Sequence, residues 1–303
     1  MLDNILGPLA ELSRPITKLI DTINSGIYKL YEPTHIRKIA KAKADEMKIL
    51  AKAKVESLLI ESETLRNYAL EIEEQKLLLE FRKKENRETI VLKAAESLKG
   101  KSVNDVKVDV DWVNQFFTYS ENVSNEEMQT IWAKVLAGEV QNPNSYSKRA
   151  LFTISIMSEH IAKSFVRVGV HSFQNLDGDL ILSGWMGNYL RDTFGDYALR
   201  TSTSILHGLD LMHVYNFPQN LTFAKKGDTE IHFRMKDGGF KILLEEPLQE
   251  DFKVGGQSYT ILGKELFPLV GGTGEKKDFI EKYFEMVNQQ FQKKGLNAQL
   301  QLQ

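Results

Sequence analysis

Carboxylates, histidines and a glycine-rich turn are the residues of this chain whose types and spacing invite chemistry. Glu126 and Glu127 stand side by side ahead of Met128 and Trp132, with Glu139 and Arg149 following. A paired carboxylate can in principle trade a proton with a substrate. Both glutamates, however, fall in the first turn of an expected helix, where capping and the helix dipole favour negative charge. We read them as structural, and Glu139 with Arg149 as the first pair to test. The histidines, His35, His160, His171, His207, His213 and His232, never repeat at the four-residue helical spacing of a zinc protease. Gly271, Gly272, Thr273, Gly274, Glu275 and Lys276 have the outline of a phosphate loop, but Lys277 stands where Ser or Thr is required and Glu275 would repel phosphate. This stretch reads as a hinge. The absence of cysteine removes thiolate nucleophiles, disulfides and cysteine metal sites together, and no Gly-x-Ser-x-Gly elbow is present. The expectation is no catalytic residue, no cofactor and no metal.

The elements that would position such residues follow from the breakers. From Thr34 to Lys99 there is neither Gly nor Pro, and Ala, Leu, Ile, Glu and Lys dominate, which predicts a long helix. Such a rod needs a partner along its length. Within it, Ile39 to Met47 recurs as Leu50 to Leu58, an offset of 11 residues. That period favours a nearly straight or right-handed supercoil, with Ile39, Met47, Leu50 and Leu58 as its seam. Upstream, Ile5, Leu9, Leu12, Ile16, Leu19, Ile20, Ile23 and Ile27 follow steps of three and four, the pattern of an amphipathic helix whose apolar face must be covered by protein or by lipid.

Beyond Gly100, Val106, Val108 and Val110 alternate like a short strand in a connector. Asp111 is placed to cap a helix bearing Trp112, Phe116 and Phe117. Ser124 with Glu127 has capping-box spacing for the next, which carries Met128, Trp132 and Leu136. Ser147 and Ser158 are placed to cap two more. Past Val170, helices precede two alternating runs, Thr229 to Met235 and Phe240 to Glu245, joined by a good hairpin turn, and a last helix carries Phe279, Tyr283, Val287 and Phe291. The expected class is mainly α with a small α+β part. Its segments are an amphipathic helix (1–33), a coiled-coil-like rod (34–100), a helical bundle (101–170), a mixed, winged-helix-like module (171–274) and a C-terminal helix with its tail (275–303).

Asp111-Trp112-Val113-x-x-Phe116-Phe117, then Val123-Ser124-x-Glu126-Glu127-Met128-Gln129-x-x-Trp132-Ala133-Lys134-x-Leu136-Ala137-Gly138-Glu139-Val140, then Pro143-x-Ser145-Tyr146-Ser147-x-Arg149, resemble the bacterial domain-of-unknown-function family two-eight-zero-six. Its relatives include abortive-infection proteins of the alpha type. Tyr259-Thr260-x-x-Gly263-x-Glu265-Leu266 is similar to a second family element, with Tyr259 in place of Leu. The resemblance implies a core motif of Trp112, Phe116, Phe117, Glu127, Met128, Trp132, Leu136, Gly138, Glu139 and Arg149, and an antiviral defence role, but no catalytic residues.

Charge narrows the partners. The chain has 39 Lys and Arg against 41 Asp and Glu over 303 residues. Residues 100–274 hold 16 bases against 21 acids, a balance that opposes the phosphate contacts of nucleic-acid binding. We therefore expect a non-enzymatic, self-assembling bacterial or prophage protein with a protein partner. It is expected in the cytoplasm, with peripheral attachment to the inner membrane as the variant in which lipid covers the first helix. The alternative is a nucleic-acid-associated winged-helix regulator. No stretch has the 18–20 apolar residues of a membrane span, and Met1 is not followed by a signal-type run.

Overall fold

The computed structural model describes residues 13–26, 63–184, 189, 204–213, 219–236, 238–270 and 276–303. The expected rod seam at Ile39, Met47, Leu50 and Leu58, the face residues Ile5, Leu9, Leu12 and Ile27, and the glycine-rich stretch 271–275 lie outside them. The chain divides into two compact units, 1–155 and 156–303.

The first unit is helical. α1 (Arg14–Ser25) has Pro15 in its first turn and buries Ile16, Leu19 and Ile23. α2 (Glu63–Leu98) is 36 residues long, about 54 Å at 1.5 Å per residue. Its last third buries Ile90, Val91, Ala94, Ala95 and Leu98 against α4, and Gly100, at φ +71°, ends it. Earlier, from Tyr68 to Phe81, it exposes Tyr68, Leu70, Ile72, Leu77, Leu78, Leu79 and Phe81. α3 (Val110–Ser120), α4 (Glu126–Gln141) and α5 (Lys148–Ser155) follow, and α1 packs on α2, α3 and α4.

The structure departs from three local expectations. Residues 101–109 form no strand: Val106 and Val110 are exposed, Val108 alone is buried, and Val110 opens α3. The cap of α3 is Asp109, whose carboxylate accepts from the Asp111 backbone N–H at 2.9 Å. The cap of α4 is Asn125, which accepts from Met128 N–H at 3.0 Å, so the helix starts one residue later than the Ser124 box implies. Ser147 accepts from Ala150 N–H and Ser158 from Ile161 N–H, at the two helix starts expected for them.

The second unit carries a seven-stranded antiparallel sheet. α6 (Glu159–Val170) leads into β1 (Phe173–Gln174) and β2 (Leu180–Ser183). β3 (Gln219–Ala224), β4 (Glu230–Met235), β5 (Gly238–Leu244) and β6 (Phe252–Ser258) follow. α7 (Ile261–Leu266), a 3-10 turn (Phe267–Leu269), α8 (Lys276–Lys293) and β7 (Ala298–Leu302) come after them. The strand order is β3-β6-β2-β1-β4-β5-β7. The expected hairpin is β4–β5, with Phe233 opposite Phe240 and Met235 opposite Gly238, and it lies inside this larger sheet. Alternation sends Ile231, Phe233 and Met235 of β4 and Phe240, Ile242 and Leu244 of β5 inward. α8 covers them with Phe279, Ile280, Tyr283, Val287 and Phe291, and Phe173 sits among the rings, 4.6 Å from Tyr283 and 5.2 Å from Phe233 between centroids.

Candidate functional site

Trp112, Phe116, Phe117, Met128, Trp132 and Leu136 all face one core, because residues three and four apart on α3 and α4 share a side. Phe116 stacks on Trp112 at 5.3 Å and meets the edge of Trp132 at the same distance. Trp132 is fully buried, and its indole N–H has no acceptor among the described residues.

The polar residues of the block hold backbone. Glu139 is 2% exposed, and its two carboxylate oxygens accept from the backbone N–H groups of Asn144 (2.7 Å) and Tyr146 (3.0 Å). The Trp112 indole donates to the Tyr146 carbonyl at 2.6 Å. Gly138 lies under the Tyr146 ring, where an added Cβ would come within 2.8 Å. Together these fix the turn between α4 and α5, with Asn144 in the left-handed region at φ 70°. Arg149 is exposed on α5, and Glu126 and Glu127 are exposed in the first turn of α4. The structure therefore brings Glu139 to Tyr146 and Gly138, and leaves the neighbouring glutamates at the surface.

A second polar group joins α2 to the start of α4. Asn86, only 5% exposed, donates to the Glu121 carbonyl at 2.9 Å and receives the Gln129 amide at 3.1 Å, while Gln129 also donates to the Val123 carbonyl. Arg87 and Lys83 both reach the Glu121 carboxylate, at 2.6 and 3.4 Å. The Asn86 and Gln129 amides trade water for protein partners, and that exchange helps fix the rotation of α2 against α4. Sequence reasoning passed over Asn86. Its one signal was an uncharged amide opening the buried stretch that Ile90, Ala94 and Leu98 continue.

In the second unit the Tyr-Thr-x-x-Gly element has a physical reason for each residue. The Tyr259 hydroxyl shares a 2.7 Å hydrogen bond with Ser172 inside the core, and burial pushes its pKa well above the ordinary tyrosine value. Thr260 caps α7 by accepting from Gly263 N–H at 3.0 Å, and its hydroxyl donates to the Asp210 carbonyl. At Gly263 a Cβ would lie 1.9 Å from the Leu211 carbonyl oxygen, so the backbones meet only because the side chain is absent.

Of the expected assembly face, Ile16, Leu19 and Ile23 are buried within their own unit and Ile20 is half-buried. Among the described residues no group of three His, Asp or Glu is arranged to hold a metal ion, and no helix is long and apolar enough to cross a membrane.

A family model described as Protein of unknown function (DUF2806) matches residues 71–287. The chain belongs to the DUF2806 family. The DUF2806 match takes in the exposed stretch of α2 from Glu71 onward, the Glu139 turn and the Thr260 cap, so it extends across both units. No curated protein and no solved structure matches significantly.

Proposed function

We propose that this protein acts by self-assembly and partner binding rather than by catalysing a reaction, as a bacterial or prophage component of anti-phage defence of the abortive-infection kind. The observation that carries the assembly part is α2, where Tyr68, Leu78 and Phe81 are each more than 60% exposed within a run of seven exposed large apolar side chains. Folded monomers rarely leave so many large apolar side chains of one helix in water. Support also comes from the family block, whose buried polar groups hold backbone and neighbouring helices. The defence part rests on the family resemblance. In this reading the helical rod and bundle of the first unit assemble and the winged-helix-like module of the second contacts another protein, with peripheral attachment to the inner membrane as the variant.

Light scattering on the full chain at micromolar concentration tests the proposal, with a mass of two or more chains expected. A monomer overturns the assembly reading. Salt-dependent DNA retention would favour a nucleic-acid regulator instead.

A further inference from the structure

The sequence of the exposed part of α2 is self-complementary in one orientation only. Around Leu78 it runs Glu73, Glu74, Gln75, Lys76, Leu77, Leu78, Leu79, Glu80, Phe81, Arg82, Lys83. Two copies laid antiparallel about Leu78 set Glu74 against Arg82, a pairing made twice by the two-fold and within about 40° of Leu78 around the helix, whereas Glu73, Lys76, Glu80 and Lys83 lie on the opposite side. Laid parallel in register, Glu74 meets Glu74 and Arg82 meets Arg82. The uncharged centre, Leu77 to Leu79, is the same in both orientations.

We propose that residues 68–84 of α2 are the contact between two copies of this chain, crossing antiparallel with the two-fold near Leu78. This rests on the self-assembly reading above and specifies its geometry. The contact is isologous, the same patch meeting itself, which is how most closed dimers are built. Apolar burial supplies the affinity, and Leu78 with Phe81, 64% and 61% exposed in the single chain, are its centre. The charges supply orientation, because an exposed ion pair adds little affinity while a like pair opposes the wrong alignment. Glu74 and Arg82 carry the most information. Both are exposed, and neither makes an ion pair within the described residues, whereas Glu73, Lys76, Glu80 and Lys83 already pair along their own helix at 3.0 Å. At 100° per residue, Leu70, Leu77 and Phe81 lie on one side and Tyr68, Ile72 and Leu79 on the other. Both groups flank Leu78, and the side opposite it is charged, so the contact closes on itself and a mass of two chains is expected.

The test uses the full chain and sedimentation equilibrium. Glu74→Arg alone sets a second positive charge against Arg82 of the other copy, and Arg82→Glu alone sets two negative charges together; each is expected to weaken association by roughly tenfold. The double change Glu74→Arg with Arg82→Glu is expected to restore it. Because the chain has no cysteine, orientation can be read directly: Leu78→Cys is expected to cross-link to itself on oxidation and Tyr68→Cys is not. Far-ultraviolet circular dichroism checks that each variant is folded. A monomeric wild type would overturn the assembly reading and this contact together. An oligomeric wild type whose mass is unchanged in both single variants, or in which Tyr68→Cys cross-links to itself, would overturn the antiparallel contact alone.

Discussion

Trp132 and Glu139 are both buried polar-capable residues of the same helix, and they ask for opposite treatment. The Trp132 ring fills the core, yet its indole N–H has no acceptor among the described residues. Trp132→Ala should therefore cost about 3–5 kcal/mol in urea melts, whereas Trp132→Phe, which keeps much of the ring and deletes an orphan donor, should cost far less. Equal losses would mean that the N–H has a partner. Glu139 instead accepts from two backbone donors, so its truncation leaves both without their acceptor. His207 offers a pH readout. Burial holds its pKa below the ordinary histidine value, against an opposing contribution from Gln257, and its Nε2 has no partner among the described residues. The unfolded chain thus takes up this proton first as pH falls. The contribution to stability is full above the unfolded pKa and is lost as pH drops through it towards the folded value. His207→Gln should flatten the pH dependence of melting between about pH 7 and 5; an unchanged slope would move the cause elsewhere.

At the scale of elements, the cap of α4 separates two neighbours that look alike in sequence. Asn125→Ala removes the acceptor for Met128 N–H and should cost about 1 kcal/mol. Ser124→Ala loses only a 3.3 Å contact with Asn86 and should cost less, as paired chemical denaturation would show. Helices were legible because periodicity repeats over many residues: α3 to α6, the α7 start and the α8 stripe of Phe279, Tyr283 and Phe291 follow from spacing alone. Caps slipped by one or two residues because Ser, Asp and Asn cap almost equally well, leaving tertiary contacts to choose among Ser124, Asn125, Asp109 and Asp111. Most strands were missed for a different reason. β1 has two residues, β6 contains Gly255 and Gly256, and β7 reads Ala-Gln-Leu-Gln-Leu, so none shows a long apolar alternation; their partners are distant in sequence and make them strands. The Glu139 turn was visible as a motif, but its mechanism needed the distances to Asn144 and Tyr146.

At the scale of the molecule, each unit has its own ring-rich core, one around Phe116 and Trp132, the other around Phe173, Phe233 and Tyr283. Residues 156–303 expressed alone should therefore unfold in one cooperative transition. Gly263→Ala, which drives a Cβ against the Leu211 carbonyl, should lower that transition severely and leave residues 1–155 unaffected. A gradual melt of the isolated wild-type fragment would show that the unit cannot stand by itself.

The two-residue strand β1 has a thermal consequence. It joins β3-β6-β2 on one side to β4-β5-β7 on the other, yet it meets β4 through the single register pair Gln174 and Arg234, while Phe173 packs among Phe233, Phe240, Phe279 and Tyr283. Ring packing, more than ladder bonding, holds the two halves of the sheet together. Apolar packing weakens on cooling, so chilling should loosen this junction before any other part of the sheet, and amide exchange near Gln174 and Arg234 should gain relative to the β4–β5 ladder in the cold.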